Sequence, residues 1–306
     1  MKPKVIVIAG PTAVGKTEAA VELAEKLGGE IINADAQQVY RSMDIGTGKP
    51  GREERRRVPH HLIDVVEPDQ EFNAAIFGRL ALETVQDISA RGRTPIVCGG
   101  TGLYIKALIH GLFRGPEAHA ALRARLRREL EEAGLHALYE RLIRVDPGAV
   151  SRIHPHDTQR IVRALEVYEA TGRPIGEWQA EHAFKERTVQ PLKIGLDRDR
   201  AELYERIDRR CERMVEAGLV EEIRALLARG YRLQSKALRS IGYRHIGLAV
   251  SGVLPLEDAI SLMKRDTRRL AKRQLTWFRA DPEIRWFHPE KDRDAFNALA
   301  AAFLSR

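Results

Sequence analysis

The segment Gly10-Pro-Thr-Ala-Val-Gly-Lys-Thr17 has the spacing G-x-x-x-x-G-K-[ST], the pattern of a loop that cradles phosphate. Gly10 and Gly15 let the backbone through Pro11, Thr12, Ala13 and Val14 curl so that amide N–H groups face inward, and the helix that follows adds partial positive charge. Lys16 is placed to bind phosphate oxygens, and the Thr17 hydroxyl to bind Mg²⁺. This predicts a diphosphate ligand without saying which ester carries it. A hydrolase of nucleoside triphosphates would also need an acid at the end of a later apolar strand and a group to orient water. That strand ends in Val97-Cys-Gly-Gly-Thr-Gly102, with glycines and a hydroxyl where the acid belongs. The acid instead follows the second strand, in Ile32-Asn-Ala-Asp35, which in an open α/β sheet is the carboxyl end beside the phosphate loop.

Asp35 can therefore act on an acceptor held opposite the phosphate, or it can cap the segment that follows it. Thr101, flanked by Gly99, Gly100 and Gly102, sits where backbone can approach a ligand closely; its hydroxyl either orients an acceptor or belongs to a tight turn. Asp64, in the apolar run Leu62–Val66, is a rival acid to Asp35, but its mid-strand place reads rather as an edge or paired carboxylate. His60-His61 and His154-x-His156 do not complete a metal-ligand set.

The elements that must position these groups alternate between strand and helix. Lys4–Ala9, Glu30–Asn33, Leu62–Val66, Pro95–Cys98, Leu192–Leu196 and Ile284–Phe287 are the strand candidates. Between them, Thr17–Leu27 and Asn73–Ala90 carry helical periodicity, the second behind an Asn N-cap. This order predicts an α/β fold, a parallel sheet around the phosphate loop with helices on both faces. From about Arg114 to Pro191 no strand candidate interrupts the helical pattern, so the chain divides into a discontinuous core, 1–114 with 191–306, and an all-helical insertion over 115–190. Tyr204 to Leu226 traces one apolar stripe with a weak point at Gly218, and Gly46–Arg57 reads as a loop. Lys264–Arg279 holds seven basic residues against one acid, Asp266, and ends in Gln274-Leu-Thr-Trp-Phe-Arg279. These aromatics can stack on bases of a nucleic acid, or Trp277 and Phe278 can be buried in the core; both hold at once if Leu275 and Phe278 lie inside and the cations outside.

Composition bounds the rest. The 306 residues carry a formal charge of +8, with 43% hydrophobic and 31% charged residues, which is globular rather than disordered. The surplus charge suits a polyanionic partner without selecting one. No apolar run approaches the roughly 18 residues of a membrane span, and no secretory signal is visible. Cys98 and Cys211 are too few and too far apart for a disulfide or metal framework. A cytoplasmic protein without membrane partners is expected, and the lack of a coiled-coil pattern suggests a monomer.

The motifs Gly10–Thr17, Asp35–Pro50, Pro59–Asp64, Gly99–Tyr104, Arg152–Asp157, Gln159-Arg160, Ser240–Tyr243 and Lys272–Trp277, in that order, resemble the bacterial tRNA dimethylallyltransferases across nearly the whole chain. The resemblance implies transfer of a dimethylallyl group from dimethylallyl diphosphate to the exocyclic amine of the adenosine just 3′ of the anticodon. The phosphate loop would then hold a prenyl diphosphate with Mg²⁺ rather than a triphosphate, although its motif reads as an ATP site. The resemblance makes Asp35 the group that takes the amine proton, Thr101 a contact to the acceptor and Arg210 a diphosphate ligand. It places tRNA, through its anticodon stem-loop, at Asp35, Ala36, Gln37, Gln38, Thr101, Arg123, Gln159, Arg160, Ile161, Val162 and Arg163, and at Arg239, Tyr243, Arg244, Lys272, Arg273, Gln274 and Trp277. Ala36 departs from the Ser common in the family and removes a hydroxyl that would orient the base; Gln37 replaces a frequent Met. A stacked adenosine cannot reach a buried diphosphate, so it is expected to flip out and enter from the far mouth of a channel. The alternative on residues alone is a small-molecule or nucleotide kinase, and beyond it a nucleic-acid-binding module whose loop senses nucleotide.

Overall fold

Strands whose residues are apolar at every position must be covered on both faces, and the core of this protein is built that way. The computed structural model describes residues 2–112, 120–182 and 187–305. Among them, β1 (Lys4–Ala9), β2 (Gly29–Asn33), β3 (His60–His61), β4 (Thr94–Gly99), β5 (Gln190–Leu196) and β6 (Arg285–Phe287) form one six-stranded parallel sheet in the order β3-β2-β4-β1-β5-β6. Val5, Ile6, Val7 and Ile8 have no exposed surface. The chain folds into two compact units, Met1–Gly111 with Arg187–Arg306, and Leu112–Glu186. The expected boundary at 114–115 lies outside the described residues.

In the first unit the sheet is joined by α1 (Lys16–Leu27), α2 (Arg52–Arg57), α3 (Ala74–Ala90) and α4 (Gly102–His110). Asn73 caps α3 by accepting the amides of Ala75 and Ile76. The second unit contains α5 (Ala120–Val145), broken at Gly134 with φ 81°, then α6 (Thr158–Thr171) and α7 (Ile175–His182). Its own core is made by Leu126, Leu138, Leu142, Ile161 and Leu165. After β5 the first unit resumes with α8 (Arg200–Glu216), α9 (Leu219–Ala228), α10 (Tyr243–Val250), α11 (Leu256–Arg279) and α12 (Arg293–Ser305).

Three expectations are corrected. Leu62–Val66 is not a strand: the sheet edge is the short β3, and Leu62 and Asp64 then adopt left-handed backbone at φ 60° and 56°. Asp64 turns there because Lys49 and Arg55 bind its carboxylate at 2.6 and 3.0 Å. The Tyr204–Leu226 stripe is two helices, since Gly218 at φ 102° ends one and opens the next while the apolar face continues through Ile207, Cys211, Leu219 and Ile223. The Gly46–Arg57 stretch is a loop only in its first part, because its last six residues form α2, whose first turn Glu54 closes onto the Gly51 amide.

The close approach of β2 and β4 leaves no room at Gly99, where an added Cβ would lie 2.1 Å from the Ala34 carbonyl oxygen. Gly99→Ala is expected to destabilise the protein by about 1–3 kcal/mol in urea unfolding, the usual range for overpacking, because the obstruction is backbone and cannot swing aside.

Candidate active site

Parallel strands deliver their carboxyl ends to one edge of the sheet, and register decides which loops meet there. Ala9 lies opposite Gly99 on one side and Gly195 on the other, and Asn33 lies opposite Cys98. The phosphate loop, the Asp35 loop, the Thr101 loop and the start of α8 therefore leave the sheet side by side. Gly10, at φ 148°, passes so close to β5 that a Cβ would come within 2.6 Å of the Leu196 carbonyl oxygen. No side chain caps the first turn of α1, so its amides stay open to an anion. Two arginines brace the loop from outside its motif: Arg198 Nε donates to the Val14 carbonyl at 2.9 Å and Arg206 Nε to the Ala13 carbonyl at 3.0 Å.

Lys16 Nζ donates to the Pro11 carbonyl at 2.7 Å, and burial of its ammonium pulls its pKa down to about 8. Burial also lowers Arg210, against the opposing pull of the Asp35 carboxylate. Both cations face a cavity of 280 Å³ that Thr17, Asn33, Asp35 and Arg206 also line. A second cavity, of 410 Å³, adjoins it and is walled by Ala36, Thr101, Met214, Ser240, Met263 and Leu270. The two share Thr12, Asp35, Arg210 and Gln274. One side is thus built for phosphate oxygens and the other for a flat or apolar group, with a carboxylate at the junction.

Asp35 caps the segment that follows it. One oxygen accepts the amides of Gln37 and Gln38 at 2.8 and 3.4 Å, and the residue still lines both cavities. Thr101 fixes this loop: its hydroxyl accepts the Ala36 amide at 3.0 Å and its own amide donates to the Ala34 carbonyl at 3.1 Å. Gln38 is buried and donates to the Gly48 carbonyl at 3.1 Å. Gln274 is built into the wall, accepting the Thr12 amide at 2.8 Å and donating to the Gly100 carbonyl at 3.0 Å. One turn on, the Trp277 indole lies over Gly102, where a Cβ would be 2.0 Å from its nitrogen, and the residue stays 45% exposed. Lys272, Arg273 and Arg239 are exposed, while Phe278 is buried, so α11 divides into apolar and cationic faces as its sequence suggests. Arg244 is exposed and paired with Asp266.

Two of the expected tRNA-contact residues have buried side chains. Tyr243 has no exposed surface and donates its hydroxyl to Glu222, and Ile161 has none and belongs to the core of the second unit. Val162 packs partly against that same core. Around them on α6, Gln159 and Arg160 are exposed, with Arg160 3.3 Å from its capping Asp157, while Arg163 and Arg123 both bind the buried Glu166 at 3.2 and 3.1 Å. Sequence reasoning overlooked Arg198, Arg206 and Lys49. For Arg206 a signal existed, because its four-residue spacing from Arg210 puts both on one helix face. Lys49 had none: its buried ammonium reaches the Tyr40 carbonyl, Asp44 and Asp64 through the loop's tertiary path.

The donor set suits a hard cation. Thr17, Asn33 and Asp35 present oxygen to the phosphate cavity, and such ions take few protein ligands beside phosphate oxygens. Among the described residues no cluster of three or more His, Cys, Asp or Glu side chains is arranged for a metal.

Fold and site together define a P-loop α/β protein in which Asp35 lines both the phosphate-loop cavity and the cavity beside it, with no acid at the end of β4 for nucleotide hydrolysis. The IPP transferase family model matches residues 38–281, and the chain belongs to that family. It is 52% identical over 290 residues to tRNA dimethylallyltransferase 1 of Pelobacter propionicus, covering 94% of each chain. It is 48% identical over 302 residues to the tRNA dimethylallyltransferase of Geobacter sulfurreducens, covering 99% of this chain and 97% of the relative. Among solved structures, the full-length tRNA isopentenylpyrophosphate transferase of Bacillus halodurans superposes with TM-score 0.74 at 41% identity, over 99% of this chain and 97% of that one. A eukaryotic dimethylallyltransferase acting on tRNA superposes with TM-score 0.85 at 30% identity, over 99% of this chain and 80% of that one.

The lowered Lys16 pKa has a checkable consequence. Burial disfavours its charge, so between about 8 and the ordinary 10.5 the folded state binds fewer protons than the unfolded chain, and the Lys16 contribution to stability rises with pH across that window. Lys16→Met is expected to raise the melting temperature of the ligand-free protein at pH 7 while abolishing pyrophosphate binding. In the unsubstituted protein, calorimetry should find pyrophosphate affinity falling as pH rises past about 8.

Proposed function

We propose that this enzyme is a tRNA prenyltransferase, moving a dimethylallyl group from dimethylallyl diphosphate to the exocyclic amine of the adenosine 3′ of the anticodon and releasing diphosphate. The observation that carries this reading is the junction of the two cavities, where Asp35 and Arg210 face both a phosphate-binding side and an apolar-walled side. Membership of the IPP transferase family and the likeness to tRNA dimethylallyltransferases support it.

In the reaction the amine nitrogen attacks the allylic carbon, the carbon–oxygen bond breaks, and its electron pair leaves with the diphosphate. Charge accumulates on the leaving group, so the amides of the phosphate loop, Lys16 and Arg210 stabilise the transition state where it differs most from the substrate. Thr17 would hold Mg²⁺, which when bound would supply further neutralisation of the diphosphate. Asp35 positions the amine and accepts its proton. Thr101 holds the Asp35 loop in place and contacts the base. The base is flipped into the second cavity, where Met214, Met263 and Leu270 replace its stacking partners. Ala36 supplies no hydroxyl there, leaving Thr101 and Ser240 as the hydroxyl groups of that wall.

On the tRNA side, Arg239, Lys272, Arg273 and Trp277 meet the anticodon-loop strand that carries the target adenosine, and Arg123, Gln159, Arg160 and Arg163 of the helical insertion hold the anticodon arm. The protein works as a cytoplasmic monomer; among the described residues no helix is long and apolar enough to cross a membrane.

Purified protein given labelled dimethylallyl diphosphate, Mg²⁺ and unmodified tRNA is expected to move label to the tRNA, and absence of transfer would sink the proposal. Asp35→Ala should lower kcat about 10²–10⁴-fold with tRNA affinity retained. The double variant Arg160→Ala/Arg163→Ala should instead weaken tRNA binding and make its salt dependence shallower by roughly two in log–log slope, whereas an unchanged slope removes α6 from the interface.

A further inference from the structure

Glu222 lies outside both cavities, yet it organises one wall of them. Its Oε2 accepts the amides of Asp44 and Ile45 at 2.9 and 2.8 Å, and its Oε1 accepts the Gly46 amide at 3.2 Å and the Tyr243 hydroxyl at 2.5 Å. Three successive amides converging on one carboxylate fix the direction of the chain that follows. That chain supplies the Thr47 carbonyl, which accepts from Arg210 Nη2 at 3.3 Å, and the Gly48 carbonyl, which accepts from Gln38 Nε2 at 3.1 Å.

The loop has no slack between these partners. A Cβ on Gly46 would come within 2.5 Å of the Tyr243 ring, and one on Gly48 within 2.0 Å of Arg210 Nη2. Internal bonds close it further, from the Thr47 hydroxyl to the Met43 carbonyl at 2.6 Å and from the Gly48 amide to the Ile45 carbonyl at 3.0 Å. Burial and the neighbouring Glu222 carboxylate raise the Tyr243 pKa, so the phenol keeps its proton and donates. Displacement of Glu222 therefore moves Thr47 and Gly48 together, and with them the guanidinium of Arg210.

We infer that Glu222 is a positioning residue for the diphosphate, acting through the Asp44–Gly48 loop to hold Arg210 in its binding rotamer. The inference rests on the proposed role of Arg210 at the diphosphate. A long arginine side chain that is already held loses less freedom when the anion arrives, so donor affinity is where Glu222 acts.

The test compares Glu222→Gln, Arg210→Ala and their double variant by calorimetric titration with inorganic pyrophosphate and by steady-state kinetics with dimethylallyl diphosphate and tRNA. Glu222→Gln keeps the shape but places an amide N–H₂ against two of the four donors. It is expected to raise the pyrophosphate Kd and the donor KM about tenfold, the scale of one charge-assisted hydrogen bond, with tRNA affinity unchanged. The double variant should bind pyrophosphate no more weakly than Arg210→Ala alone, because the Glu222 effect passes through Arg210. Additive losses, an unchanged Glu222→Gln protein, or an Arg210→Ala protein with undiminished pyrophosphate affinity would each overturn the inference. Should Glu222→Gln fail to fold, Tyr243→Phe removes a single bond to the same carboxylate and must give a smaller loss with the same dependence on Arg210; no loss counts against the inference. Coupling in pyrophosphate binding without prenyl transfer would defeat the proposed reaction and leave the positioning role standing, while transfer without coupling would do the reverse.

Discussion

Two half-buried cations, Lys16 and Arg210, are the constraint on which the site depends. Burial works against the charge of both, and the Asp35 carboxylate acts on each in the opposite direction. A desolvated cation binds an anion more strongly than an exposed one, because no hydration shell has to be displaced at the moment of binding. The surrounding fold therefore holds these two charges against the pull of burial. The fully buried strand β1, the arginine braces on the loop carbonyls and the packed Asp44–Gly48 segment keep those charges where solvent alone would not leave them.

In the proposed reaction the same edge of the sheet would also bring the acceptor to the phosphate. Gln274 closes the gap between the phosphate loop and the Gly99–Gly102 turn with one amide group, and Trp277 lies over Gly102 one turn further along the same helix. One face of α11 thereby supplies Gln274 to the wall shared by the two cavities, while Lys272 and Arg273 on the same helix are exposed. Glycine at 99, 100 and 102 is required by these close approaches of carbonyl, amide and indole rather than by turn geometry alone.

Much of this was legible from spacing. A phosphate loop after a buried strand, an acid after the second strand, and a helical stretch free of strand candidates between the two parts of the core are local patterns, and each corresponds to an element of the structure. Leu62–Val66 was misleading because its composition favours a strand, whereas the Asp64 ion pairs with Lys49 and Arg55 turn the chain away from the sheet. Tyr243 lies beside basic and polar residues in sequence and resembles a surface contact there, but its ring fills the space above Gly46. Glycine at 218 was visible as a weak point, and only packing showed that the helix breaks there and resumes with the same apolar face.

The sequence by itself determined the chemistry available to this protein: the phosphate loop, Asp35, the hydroxyl of Thr101, the cationic helices and the parallel sheet. Those are properties of residue type and short spacing, which period and propensity express directly. Tertiary structure decided which of those groups share a cavity, that Arg198 and Arg206 reach back across more than 180 residues of sequence to brace the Val14 and Ala13 carbonyls, and that Glu222 controls a loop far from it in the chain. Such contacts depend on strand order and register, and the energies that select them come from burial and hydrogen bonds between segments that carry no local sign of one another.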